Sequence, residues 1–341
     1  MPEQRFLVVR LSSLGDIVHT FPAVAALRET FPTAEIIWLT HPRWKLLVES
    51  SGLASEVWAA DTRSLSSLRG ILRRIHERRF SVAIDYQGLW KSAAIPLFGG
   101  VTRRIGFSSE TVREYGVPML YTDRVRSKQA HIADQNGELS LRAGSQRGSA
   151  GFSLNIPPLD AAEVRDYLQS RSVERFVALS PGGGWRSKCW PPERFGVLCH
   201  EIREALGLRC VVNYGPGEEQ LAGKVRDSSG TGDPLLYNGD LGPLMALLRN
   251  ALCIVGGDTG PLHLAVALGT PAVALFGPTD PARNGPYRVG ESGAVAPSDI
   301  VLRSPRALTT YKRGDRPDPS MLDLEVDAVF DAVRRQIEAR A

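Results

Sequence analysis

Residues 251–268 read ALCIVGGDTGPLHLAVAL. An apolar run over 251–255 gives way to two glycines, an aspartate, a threonine and a third glycine, then to Pro261 and a second apolar run. A short continuous apolar run closed by glycine fits a strand buried on both faces. Proline suits the first turn of a helix, where its missing N–H costs nothing, so a helix is predicted over 260–268. The stretch is therefore a strand–loop–helix unit, the building block of a parallel sheet.

Working outward, the same unit recurs. Strands are predicted near 175–180 (RFVALS), 208–213 (LRCVVN) and 271–275 (PAVAL), and helices near 160–171, 191–206, 217–227 and 241–250. An earlier series has strands at 5–11 (RFLVVRL), 34–39 (AEIIWL) and 81–85 (SVAID). Its helices are 17–31, with Pro22 near the first turn, and 64–79, with a capping serine and a basic face. Between the two series, residues 143–158 (AGSQRGSAGFSLNIPP) shift to Gly, Ser, Gln and Pro, as a linker does. Residues 276–320, rich in Pro, Gly and Arg, read as mostly irregular, and 323–339 as a last amphipathic helix. Two alternating series predict an α/β fold of two Rossmann-like, doubly wound parallel sheets, in domains 1–150 and 151–322, followed by the helix 323–341. A chain of 341 residues is long for one core and fits two. Such sheets bind ligands at the loops beyond the carboxyl ends of their strands, and two lobes would place those loops on a cleft.

The composition is that of a globular protein, 43% hydrophobic and 23% charged, which excludes extensive disorder. The first apolar run, about six residues, is too short for a signal peptide or a membrane span, so a cytoplasmic location is expected. Cys189, Cys199, Cys210 and Cys253 form no C-x-x-C pair and are expected to be reduced, buried thiols. Charge is uneven: residues 1–155 hold 20 Lys and Arg against 14 Asp and Glu, the remainder 21 against 23. A basic first half suits an anionic partner, and no nucleic acid is expected.

Five loops after predicted strands carry the chemistry. In Ser12-Ser13-Leu14-Gly15-Asp16 the small residues let backbone approach a ligand, and Asp16 at a helix start is either a general base for a hydroxyl or a helix-capping carboxylate. In 85–92 (DYQGLWKS) Gln87, Lys91 and Ser92 offer donors to a carboxylate or hydroxyls, or merely cap a turn. In 180–191 (SPGGGWRSKCWP) three glycines free N–H groups toward an anion, and Lys188 adds a mobile charge, together suiting a diphosphate. In 256–264 (GGDTGPLHL) the N–H groups of Thr259 and Gly260 point from a helix N-terminus, and His263 lies one turn in. The fifth, 276–281 (FGPTDP), either supports the same phosphate site or is simply a proline-built loop. G-x-G-x-x-G, a Walker loop, G-x-S-x-G, H-E-x-x-H and D-x-D are all missing. Their absence counts against nicotinamide, hydrolase and metal-clamped nucleotide-sugar readings.

Leu14-Gly15-Asp16, Asp258-Thr259-Gly260 with His263, and 276–281 together resemble the lipopolysaccharide heptosyltransferases, glycosyltransferase family 9. Gln87–Ser92 and Arg104-Ile105-Gly106-Phe107 with Arg113-Glu114 are similar to heptosyltransferase I. The resemblance runs over nearly the whole chain. It implies the GT-B fold, an acceptor-binding first domain, an ADP-heptose-binding second domain, and a C-terminal helix packing back toward the first lobe. It implies inverting transfer of heptose to a Kdo residue of Kdo-lipid A, without cofactor or metal, with peripheral contact at an anionic membrane surface on the cytoplasmic face of the inner membrane. Asp16 matches the base, and Lys188 a phosphate-binding lysine with a part in catalysis. Gly183, Gly184, Asp258, Thr259, Gly260 and His263 match donor positions, and either Glu218 or Glu219 the carboxylate near the nucleoside. Ser13, Gly15, Arg63, Gln87, Lys91, Ser92, Arg104 and Arg113 are expected on the acceptor, with Arg103 a further candidate. The resemblance leaves two alternatives: heptosyltransferase II or another nucleotide-sugar relative, and a non-catalytic sugar-nucleotide-binding protein.

Overall fold

The computed structural model describes residues 4–112, 114–289, 299–311 and 313–339. Contacts divide the chain between Asn155 and Ile156. The first unit holds strands β1 (Arg5–Val9), β2 (Glu35–Thr40), β3 (Glu56–Ala59), β4 (Val82–Asp85), β5 (Arg104–Phe107) and β6 (Asp123–Val125). The second holds β7 (Phe176–Ser180), β8 (Arg209–Asn213), β9 (Leu235–Tyr237), β10 (Ile254–Gly257), β11 (Ala272–Phe276) and β12 (Ile300–Arg303). Each set forms one six-stranded sheet, ordered β3-β2-β1-β4-β5-β6 and β12-β11-β10-β7-β8-β9. Every neighbouring pair is parallel. Counted within its own unit, each sheet has the doubly wound order 3-2-1-4-5-6, in which the winding reverses between strands one and four.

That reversal sets the place of the site. The β1–β4 register pairs Val9 with Asp85, so loops 10–13 and 86–89 leave the sheet side by side. The β7–β10 register pairs Ser180 with Gly256, bringing loops 181–191 and 258–259 together in the same way. Helices on both faces make the central strands continuous in apolar residues. β1, β7 and β11 are buried from Phe6, Phe176 and Ala272 onward.

Trp190 anchors the loop after β7. It is wholly buried, donates from Nε1 to Leu324 O at 2.8 Å, and meets the Phe195 ring edge-on at 4.9 Å. Trp190→Ala is expected to cost about 3–5 kcal/mol, the range for emptying a buried aromatic site. Chemical denaturation would read the loss, and an unchanged midpoint would contradict this packing role.

Several elements differ from the sequence-based reading. The helix read as 17–31 is two, Leu14–Val18 and Phe21–Thr30, because Thr20 turns its hydroxyl onto Asp16 O (2.8 Å) and Pro22 sits at the start of the second. β12 falls inside the stretch read as irregular, where only four residues (IVLR) carry the signal. The C-terminal helix Val326–Glu338 buries Val329, Ala332 and Val333 in the second unit's core. Its apolar face thus belongs to that unit's core. Among the described residues no helix is long and apolar enough to cross a membrane.

Candidate active site

In the first unit the site begins with a charge at the end of an apolar strand. Arg10 follows β1, is buried, and donates from Nη2 to Asp16 Oδ1 at 2.8 Å. A second guanidinium nitrogen donates to Tyr86 O, tying the loops after β1 and β4. Asp16 Oδ2 accepts from the Ser13 backbone N–H (3.0 Å) and from Ser13 Oγ (2.7 Å), closing a capping box on the helix Leu14–Val18. Asp16 therefore caps, with Ser13 as its partner. Its side chain is still 45% exposed, so an incoming hydroxyl can reach it. Gly15 is buried in the first turn.

Gln87 braces this loop. Its Oε1 accepts from Leu11 N (2.7 Å) and Ser12 N (3.2 Å), and its Nε2 donates to Ser12 Oγ (3.3 Å). Ser92, expected on the acceptor, is instead fully buried and donates to Asp85 Oδ2 at 2.8 Å. Asp85 also accepts from Tyr121 Oη (2.7 Å) and from the Gln87 and Gly88 N–H groups. Burial raises the Asp85 pKa against the pull of those four hydrogen bonds. This buried knot shapes the turn that aims Gln87.

The arginines expected on the acceptor divide. Arg104 gives its guanidinium to three main-chain carbonyls, Leu120 O (2.8 Å), Val101 O (2.6 Å) and Thr102 O (3.1 Å), so it fastens the start of β5 rather than presenting a charge. Arg103 is similarly engaged with Asp123 (3.3 Å) and Arg142 O (2.8 Å). Arg63 and Lys91 are exposed. Arg113 lies outside the described residues.

In the second unit Asp258, at the end of β10, is the hub. Its Oδ1 meets His263 Nε2 at 3.0 Å, and its Oδ2 meets Lys188 Nζ at 3.7 Å and Asn284 Nδ2 at 3.4 Å. Asp258 and His263 are buried, and Lys188 is nearly so, with its ammonium over the Trp185 ring at 5.0 Å. Burial alone would raise the Asp258 pKa. The His263 hydrogen bond, the charges of Lys188 and His263, and the Asn284 hydrogen bond outweigh it and hold the carboxyl well below the ordinary range.

In the unfolded chain this carboxyl takes up its proton near pH 4, about the ordinary value, while in the folded chain it resists. Its stabilising contribution is thus complete above that pH and shrinks as pH falls toward the folded value. Urea melts of wild type and Asp258→Asn between pH 6 and 3 are expected to show a steeper loss in wild type; parallel slopes would contradict the network.

The loop after β7 closes on the hub. A Cβ added to Gly257 would lie 2.9 Å from Lys188 O, so only glycine allows this approach. A Cβ on Gly183 would meet Cys189 Sγ at 2.9 Å and Thr259 Cγ2 at 3.3 Å, which places the glycine loop against the start of helix Gly260–Ala267. Gly184 faces open space. Thr259 is buried, and its Oγ1 has no hydrogen-bond partner. Cys189 is half-buried and, like the three buried cysteines, is a free thiol; burial pushes its pKa up to about 11. Of the two glutamates, Glu218 turns inward: a Cβ on Gly182 would sit 2.3 Å from its Oε1, and its Oε2 accepts from Gly215 N at 2.8 Å. Glu219 is exposed and caps Gly217 N (3.2 Å).

The model of glycosyltransferase family 9 (heptosyltransferase) matches residues 68–298. The chain belongs to glycosyltransferase family 9. Lipopolysaccharide heptosyltransferase 1 of Escherichia coli K12 is 27% identical over 325 residues, covering 89% of this chain and 94% of that protein. Among solved structures, the family 9 glycosyl transferase from Veillonella parvula superposes with a TM-score of 0.83 at 21% identity, covering 98% of each chain. An E. coli heptosyltransferase solved with ADP gives 0.76 at 22% identity, over 98% of this chain and 100% of that one. This family 9 chain is a GT-B glycosyltransferase, and its candidate site loops stand at the winding reversal of each sheet.

Sequence reasoning overlooked Arg10 and Asn284. The signal for Arg10 was present, a lone arginine closing an apolar strand just ahead of the loop with the carboxylate. Nothing local marks Asn284, which reaches Asp258 from the short helix Pro281–Asn284.

Proposed function

We propose that this heptosyltransferase moves heptose from ADP-heptose to a Kdo hydroxyl of Kdo-lipid A, with inversion and without a metal, in peripheral contact with an anionic membrane surface on the cytoplasmic side. The observation that carries the reading is the unpartnered, buried Thr259 hydroxyl at the start of helix Gly260–Ala267, beside Lys188. An unpaired buried hydroxyl costs about 1–3 kcal/mol, and a phosphate oxygen would relieve it. The helix N-terminus adds open N–H groups and a favourable dipole. The relative with bound ADP and those named heptosyltransferase support the donor.

On this reading Asp16 accepts the proton of the acceptor hydroxyl. That oxygen's electron pair forms the bond to the anomeric carbon as the bond to the β-phosphate oxygen breaks, and ADP leaves with the pair. One displacement inverts the centre. Lys188 and the N–H groups of the loop 182–184 and of Gly260 neutralise the charge that grows on the leaving diphosphate. Arg10 and Ser13 orient Asp16, Gln87 holds its loop, and Glu218 faces the nucleoside.

The test is release of ADP from ADP-heptose with deacylated Kdo-lipid A, with UDP- and GDP-sugars as donor controls and with EDTA. Acceptor-dependent release specific to ADP-heptose and indifferent to EDTA is expected. Release with an already heptosylated acceptor alone would overturn the acceptor assignment. Tight ADP binding with no release from any acceptor would favour a non-catalytic binding protein.

A further inference from the structure

The helix Trp90–Phe98 follows the Gln87 turn and turns an apolar face outward along its whole length. Trp90 is 44% and Phe98 73% exposed, with Leu97 half-buried on the same helix. The short 3-10 turn Val117–Leu120 extends the face with Met119, 68% exposed, and Tyr115 beside it is almost wholly exposed. Trp90, Tyr115 and Met119 are contiguous: Trp90 Nε1 donates to Tyr115 O at 3.2 Å, and a Cβ on Gly116 would lie 3.0 Å from the Trp90 ring and 3.5 Å from Met119 Cε. Exposed apolar patches of this kind mark interaction sites.

We infer that this face docks the first unit onto an anionic lipid bilayer surface, on the reading that the acceptor is lipid-borne. Three observations select lipid over protein. Trp, Tyr and Phe are the side chains that settle at a membrane interface, with an apolar body and, in Trp and Tyr, a polar tip. Lys91 is exposed beside Trp90, Arg124 is exposed on β6 just beyond the 3-10 turn, and the first 155 residues carry the excess of positive charge. The Glu114 carboxylate, beside Tyr115, accepts from the Trp90 backbone N–H at 2.7 Å. The face also starts at the loop that braces Asp16, so docking there brings a headgroup sugar toward the carboxylate and needs no spanning segment.

The test uses full-length protein and sedimentation with vesicles of phosphatidylglycerol and phosphatidylethanolamine, against phosphatidylcholine alone. Wild type is expected to bind the anionic vesicles in a salt-sensitive way. The double variant Phe98→Ser/Met119→Ser, remote from the Asp16 loop, is expected to bind at least about tenfold more weakly. It should keep its thermal midpoint and its rate on deacylated acceptor. Equal binding by both proteins, or none by wild type, would overturn the inference. So would loss of a wild-type dimer in the variant with vesicle binding intact, which would make the occupant a second copy of the chain. Vesicle binding needs no turnover, so a failed transferase assay and a failed docking assay are separate results.

Discussion

Asp16→Asn is expected to lower kcat/KM for acceptor-dependent ADP release by roughly a hundredfold to ten-thousandfold, the span for loss of a positioned general base. Asparagine is the informative choice. It retains an oxygen that can accept from the Ser13 N–H and Oγ, so the capping box survives while the proton acceptor is removed. Alanine removes both functions and adds about 1 kcal/mol of helix-start destabilisation. If asparagine were as active as wild type and only alanine were impaired, Asp16 would be a capping residue and nothing more. ADP binding, measured separately by calorimetry, is expected to be unchanged in both variants, because the proposed donor loops belong to the other unit.

Lys188→Met carries the second large effect. The side chain is nearly buried, stacked on Trp185 and paired with Asp258 at 3.7 Å. Methionine keeps much of the aliphatic stem but not the charge. A fall in kcat of about a hundredfold to a thousandfold is expected, the range for losing one preorganised group at a developing negative charge. The same variant leaves Asp258 with His263 and Asn284 but without its ammonium partner, so a stability loss should accompany the kinetic one. Stability loss without a kinetic effect in the surviving folded protein would assign Lys188 to the fold alone.

The sequence made the central strands and their loops readable because those strands are continuous apolar runs buried on both faces. The short strands β3, β5, β6, β9 and β12 were not readable. They are three or four residues long, and fragments such as EVWA and DRV are too short for any periodicity to show. The site divides along a similar line. Asp16, Lys188, Asp258, Thr259 and His263 sit in, or in the first turns after, loops whose local spacing announces them. Arg104 looks like a free cation in sequence, yet its partners are backbone carbonyls up to sixteen residues away, which no residue type records. Ser92 misled for a related reason: its spacing from Asp85 fits a surface turn, and only the fold shows that Tyr121 closes over both. The two glutamates differ by one position, and only the close approach of Gly182 tells them apart.

The shared strand order has a bearing on how such a scaffold diversifies over generations. In both sheets the candidate site loops leave the two middle strands, which lie clamped between neighbours and admit little change. A loop from an edge strand, such as 60–64 after β3, is under no such clamp. Lineages can therefore alter such a peripheral loop while the central loops stay as they are.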